Sequence, residues 1–402
     1  MRKHPLILPV YAPTLLLAFC RGMLVPVLPV YAESFQISFA LIGLVLGAQG
    51  MGTLAGDLPS GILLGRLGQK RSMLAGIGGM ALAAVALFLA STYWELVIYN
   101  FALGFSSALW NISRHAYLAR AIPVAQRGQA IAIFGGINRV GTFAGPFIGG
   151  LLGARFGLSM PFLVYGLIAA VCLIFPLAFA DAVADDVAAR PRVAGVRGHT
   201  GHLWTILRSH YRVLIPAGSG QIFAQMIRSA RTTIIPLYAS SVLGLDLEDI
   251  GLIITIGSAI DMSLFYVAGQ LMDRLGRKFA YVPSFIIQGI GMALIPLMGP
   301  EAGFSGLLIA TCIMGFGNGL GSGTMMTLGA DLAPKEDMGE FLGIWRLIGD
   351  TGSTGGPLVV GAIADLAGLG PTALIMGGVG FLAAATLGLL VPETLKRPIP
   401  RS

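Results

Sequence analysis

Apolar runs of about 20 residues, the length that crosses a bilayer as a helix, recur along the whole chain between short polar gaps. They fall near 6–31, 38–64, 73–91, 94–117, 129–153, 160–180, 211–240, 250–272, 280–299, 304–329, 340–365 and 371–391. A membrane β-barrel would show shorter segments of alternating polarity, so the pattern predicts helices. The expected fold class is an all-α membrane protein with twelve transmembrane helices. The first run follows Met1-Arg2-Lys3-His4-Pro5 and could imitate a signal peptide. It carries on to Tyr31 without a convincing cleavage site and reads as the first span.

Composition agrees. Hydrophobic residues make up 55% of the chain and charged residues 11%, under half the roughly 25% of a soluble domain. The net charge of +7 would suggest nucleic acid if it formed a patch, but the charges sit in alternate gaps. One set carries Arg66, Lys70, Arg71, Arg120, Arg127, Arg274, Arg277, Lys278 and Lys335, joined by Arg2, Lys3, Lys396, Arg397 and Arg401 in the tails. The other carries Glu33, Glu95, Asp246, Glu248, Asp249, Glu301 and Asp365, with Arg155 its only base. The positive-inside rule then puts both termini in the cytoplasm of a multi-pass protein, expected in a prokaryotic cell (inner) membrane. Its partners are the lipid bilayer, and nucleic acid is not among them. Cys20, Cys172 and Cys312 lie in apolar runs and read as small hydrophobes, so neither metal nor cofactor is expected.

The longest polar stretch, 181–210, holds Asp181, Asp185, Asp186, Arg190, Arg192, Arg197, His199 and His202. Lying at the midpoint, it predicts a cytoplasmic linker between six-helix bundles at 1–180 and 211–402. The halves repeat each other. Arg127-Gly128 with Gly141, Gly145-Pro146 and Gly150 aligns with Met338-Gly339 and Gly352, Gly356-Pro357 and Gly361, and Gly104 and Pro123 fall on Gly315 and Pro334. Pro29-Val30-Tyr31-Ala32 echoes Pro236-Leu237-Tyr238-Ala239, and Gly61…Gly68 echoes Gly269…Gly276. A parallel duplication of six helices implies two pseudo-symmetric bundles with a path between them.

At these residues the chain resembles the major facilitator superfamily over essentially its full length. Gly61-Ile-Leu-Leu-Gly65-Arg66-Leu-Gly68-Gln-Lys70-Arg71 and Gly269-Gln-Leu-Met-Asp273-Arg274-Leu-Gly276-Arg277-Lys278 are similar to its loop signature. Gly22…Pro26…Pro29 resembles the first-helix pattern of the twelve-helix drug:proton antiporters, and Gly141…Gly145-Pro146…Gly149-Gly150 their fifth-helix motif. The resemblance implies a fifth helix that flexes as the halves rock, and gating roles for Gly61, Arg66, Gly141, Gly145, Pro146, Gly149, Asp273 and Arg274. Asp273 is expected to latch against a helix N-terminus of the other half. Two positions depart from the family. Gly65 stands where the loop signature has an acid, and Asn100 where several relatives carry a fourth-helix arginine tied to proton transfer.

Charge inside the spans is costly and points to function. Arg21, Arg139, Arg228, Arg231 and Arg346 face Asp57, Asp261 and Asp350, with Arg114 near one end of the fourth span. The three aspartates are the proton-coupling candidates. Arg139 and Asp261 each lie twelve residues from a loop marker, about 18 Å along a helix, and the resemblance implies that their helices pack. An interdomain Arg139–Asp261 bridge is therefore expected, whereas Asp350 has Arg346 one turn away. Gln221, Gln225, Arg228 and Thr232 form one helix face, and Asn100, Gly104, Ser107, Asn111 and Arg114 another. With Arg21, and with Asn318 and Ser322 in a glycine-rich tenth span, they are expected to line a substrate cavity.

HExxH, GxSxG and nucleotide-binding loops are absent from the sequence, so neither an enzyme nor ATP-driven transport is expected. The expected function is secondary transport by alternating access, with proton-coupled export of small amphipathic molecules by a monomer. Transport of organic anions or other metabolites, and lipid flipping on the same scaffold, are the alternatives.

Overall fold

The computed structural model describes the backbone of residues 7–121, 127–179, 196–335 and 337–395, and their side chains except at 7, 58, 119–132 and 196–207. Among these residues every regular element is helical. A π-helical turn, Ile7–Tyr11, leads into α1 (Ala12–Glu33), followed by α2 (Phe39–Leu67), α3 (Gln69–Phe88), α4 (Tyr93–Ala121) and α5 (Arg127–Phe156). The sixth span, α6, is Met160–Cys172 continued by Ile174–Phe179, and α7 is Val196–Leu237 with a π turn at Tyr238–Val242. In α8, Leu247–Ser263 and Phe265–Arg274 meet at Leu264. Lys278–Leu320 is two helices joined at Gly303, whose φ of 53° only glycine adopts readily. We call them α9 and α10, and α10 resumes at Thr324–Leu332. Finally come α11 (Met338–Ala367) and α12 (Leu369–Ala385, then the π turn Thr386–Leu390).

The twelve helices correspond to the twelve predicted spans. Among the described residues eight continuous stretches, one of them the joined α9 and α10, are long and apolar enough to cross a bilayer by length and composition. The other three, α5, α7 and α11, carry Arg139, Arg228 with Arg231, and Arg346 with Asp350. The seventh helix begins at Val196, earlier than the apolar pattern suggests, because no proline interrupts the segment before Pro216. Residues 181–195 of the expected linker, Pro123, the charged tails, and the side chains of Arg120, Arg127, Arg197, His199 and His202 lie outside the described residues.

The chain divides into two compact units. One comprises Met1–Pro191, Thr232–Thr255 and Pro357–Leu366, and the other Arg192–Arg231, Ile256–Gly356 and Ala367–Ser402. In the first, α1 packs along α5, α2 along α4, and α3 against α4 and α6. In the second, α9 packs against α12 and against α10.

The sequence repeat is a repeat of packing. In the first unit a Cβ on Gly141 would lie 2.6 Å from the Leu15 carbonyl, and one on Gly145 2.5 Å from the Gly22 backbone. A Cβ on Gly149 would overlap Met23. The motif thus seats α5 on α1 backbone to backbone. In the second unit Gly352 would meet Ile222 at 2.5 Å and Gly356 would overlap Ser229, so the second copy seats α11 on α7. The loops repeat too. Gly68 and Gly276 hold equivalent places inside the two loop signatures at φ 79° and 129°, and Gly157 and Gly368 follow α5 and α11 at φ 99° and 82°.

At the acidic-loop end the first unit unites segments from both halves of the sequence. Gly150 abuts Leu247 and Gly251, and a Cβ on Gly251 would lie 2.6 Å from the Pro146 carbonyl. The equivalent Gly361 abuts Phe39 and Ala40, while Gly43 abuts the Pro357 carbonyl. Asp365 accepts the Ala40 N–H at 3.1 Å, and Glu33 accepts the hydroxyls of Ser240 and Ser241.

Candidate functional site

The polar groups of the first unit gather where α1, α4 and α5 meet. Thr14 and Arg21 are seven residues apart, two turns, on the face that α5 covers. Arg21 donates to Asn138 Oδ1 at 2.6 Å. On α4, Arg114 is only 5% exposed and donates to Asn111 Oδ1 at 2.8 Å and Thr14 Oγ1 at 3.5 Å. Its guanidinium lies 4.3 Å from the Phe134 ring centre and 5.3 Å from that of Trp110. Such cation–π contact is worth about 2 kcal/mol when desolvated. Asn111 also donates to Ser107 Oγ at 3.4 Å, so three residues of the expected α4 stripe are joined.

Asn100 and Gly104 face elsewhere. Asn100 is fully buried and donates to the Val45 carbonyl at 2.7 Å, and a Cβ on Gly104 would overlap the Gln49 carbonyl. Both bind α4 to α2. A stripe read at one face per helix merges two adjoining faces here, because the glycine and asparagine that let helices approach are polar by the same count as a ligand contact.

In the second unit Asp261 on α8 is the centre. Asn318 of α10 donates to its Oδ2 at 2.5 Å, and Arg231 of α7 lies 3.9 Å from the same oxygen. Its Oδ1 is buried and accepts no hydrogen bond among the described residues. The Asn318 contact is one that sequence reasoning missed, since nothing in spacing links residue 318 to residue 261. Arg228 donates to the Gly321 carbonyl at 2.9 Å and lies over Phe285, 5.2 Å from its ring centre. That carbonyl lies where α10 breaks: Gly321 ends the helix, Gly323, at φ 78°, precedes its resumption, and the Thr324 N–H and hydroxyl donate to the same oxygen. The glycine-rich run of the tenth span thus ends in a helix interruption at residues 321–323, with Ser322 buried inside it. Gln221 and Gln225 lie against Gly349 of α11, where a Cβ would be 2.6 Å from Gln221 Nε2.

The remaining candidates are peripheral or local. Arg346 and Asp350 pair over one turn at 3.3 Å. Gly61 and Arg66 are exposed, as is Arg274. Asp273 pairs with Arg277 at 2.9 Å, and Arg277 also reaches Asp331 at 3.0 Å. Asp57 and Arg139 are half-buried on α2 and α5. Among the described residues no group of three histidine, cysteine or carboxylate side chains could hold a metal.

Thr14, Phe134, Asn138 and Phe285 were not singled out in the sequence. A signal existed for Asn138: it sits three residues before Gly141, on the face that the glycines press against α1.

Comparison with known proteins agrees with this architecture. The chain is 23% identical over 349 residues to a major-facilitator-type transporter of Methanocaldococcus jannaschii, covering 87% of this chain and 88% of that one. It is 24% identical over 298 residues to multidrug resistance protein 2 of Bacillus subtilis, covering 73% and 72%. The crystal structure of a mutant of the nucleoside transporter NupG superposes with a TM-score of 0.76 at 14% identity, covering 95% of this chain and all of that one. The family model of the Major Facilitator Superfamily matches residues 12–354 and 217–402. With that match over most of its length, and with twelve helices and a repeated glycine seam among the described residues, the chain belongs to the major facilitator superfamily and is a transporter.

Proposed function

We propose that the protein exports small amphipathic organic molecules by alternating access, driven by protons, with both termini cytoplasmic and the acidic loops outside. The two six-helix halves, joined by the polar segment 181–210, are the moving parts. The relative named for multidrug resistance supports the substrate class. The observation that carries proton coupling is Asp261, a carboxylate deep in a helix, half satisfied by Arg231 and Asn318 and half buried without a donor. Taking up a proton discharges the Arg231 pair, and losing it restores the pair, so occupancy and packing are linked. Asp57 and Asp350 remain secondary candidates, and Asp350 already has a local partner, Arg346, one turn away.

The test uses purified protein in liposomes with an imposed pH gradient, reporting ethidium and carboxyfluorescein movement. Transport should collapse with a protonophore, and Asp261→Asn should uncouple it from the gradient. Gradient-driven movement that survives in Asp261→Asn, Asp57→Asn and Asp350→Asn alike would overturn proton coupling through these acids.

A further inference from the structure

The first unit contains two arginines without a counter-ion. No described carboxylate lies within salt-bridge distance of Arg21 or Arg114, and each is held by an asparagine oxygen, a neutral acceptor. Each guanidinium has five N–H donors. Among the described residues Arg21 uses one of its two terminal nitrogens in a hydrogen bond, and Arg114 uses both, leaving its Nε buried without an acceptor. Their contacts on α5, Asn138 for Arg21 and Phe134 for Arg114, are four residues apart, neighbours on one face of that helix. Burying two like charges together without an anion is expensive, because the usual compensation of desolvation is a paired opposite charge. Neighbouring Phe134 and Trp110 offer an apolar wall beside the charge.

We infer that Arg21 and Arg114 bind the acidic group of an organic monoanion, whose apolar body lies along Phe134, so that the transported class includes amphipathic acids. This rests on the export reading for its physiological meaning, but the binding site stands without it. Asn111 and Asn138 are positioning residues: they hold each guanidinium by one nitrogen and leave other donors for the ligand. Thr14 does the same for Arg114 from α1.

The experiment measures binding to the full chain in detergent, without any proton gradient, so its failure is separable from failure of the export reading. The probes are benzoate, the uncharged benzamide and the cationic benzyltrimethylammonium, each against chloride at equal ionic strength. Benzoate should raise the unfolding temperature saturably, and the other two should not. Arg114→Gln and Arg21→Gln should each weaken benzoate binding at least tenfold. Asn111→Asp guards against a folding artefact, because it places a carboxylate at the atom that already accepts from Arg114 at 2.8 Å. This variant should be more heat-stable than the parent without ligand and should lose the benzoate response. Equal shifts with benzoate and benzamide, no shift with benzoate, or a benzoate response kept in Arg114→Gln or Asn111→Asp would each overturn the site.

Discussion

Replacing Gly145 by alanine tests the seam on which the first unit is built. The added Cβ would lie 2.5 Å from three backbone atoms, the Cα and C of Gly22 and the N of Met23. Comfortable contact between such atoms is about 3.5–4.0 Å. None of the three belongs to a side chain that can rotate away, so α1 and α5 must part by about 1 Å along their crossing. Overpacking of this kind costs about 1–3 kcal/mol. Alanine also recovers up to about 1 kcal/mol of helix propensity, which must be subtracted. Gly135→Ala provides that subtraction: it lies in the same helix and its Cβ would meet nothing within 4 Å. The difference between the two variants is therefore the packing term alone. Thermal unfolding of the two purified proteins in one detergent should show Gly145→Ala less stable by about 1–3 kcal/mol. If the two variants melt together, backbone contact is not what holds α1 to α5.

Two further outcomes follow from single contacts. Asn100→Ala should lower stability by about 0.5–1.5 kcal/mol, since it removes the side-chain hydrogen bond that ties α4 to the Val45 carbonyl of α2, while leaving benzoate binding unchanged. Glu393 accepts the N–H groups of Arg277, Lys278 and Leu395 at 2.9, 3.0 and 2.9 Å. Burial by itself would raise its pKa, but these donors outweigh burial and hold the carboxyl below the usual glutamate value. Its contribution to stability is thus fully present above the unfolded-state pKa and is lost as pH falls through the lower folded one. Melting scans should show Glu393→Gln less stable than the parent at neutral pH, with the gap closing under acid; a gap independent of pH would refute this role.

The twelve helices were legible in the sequence because lipid imposes a period and a length that few residues can disguise. The glycine seams were legible as well: Gly141, Gly145 and Gly149 fall on one face, and their spacing recurs in the second half. The polar contacts were only partly so. Asn111 and Arg114 are three residues apart and meet on their own helix, whereas Asn318 finds Asp261 across 57 residues. Arg228 reaches the Gly321 carbonyl, which it shares with the Thr324 N–H and hydroxyl at the break in α10. Such partners depend on where helices cross and break, and side-chain periodicity contains neither.

The contacts of Gly150 with Gly251, and of Gly361 with Ala40, have a further consequence at the acidic-loop end. Glycine has no χ angle, so surfaces of this kind freeze almost no rotamers when they meet and release almost none when they separate. An interdigitated leucine seam would hold its two sides in a deep well, and each parting would exchange side-chain disorder for lost dispersion. Bare backbone against bare backbone parts with a small side-chain entropy change on either side. Parting surfaces of this kind would have little temperature dependence of its own, and among the described residues the polar ties beside them are Glu33 to Ser240 and Ser241 and Asp365 to Ala40.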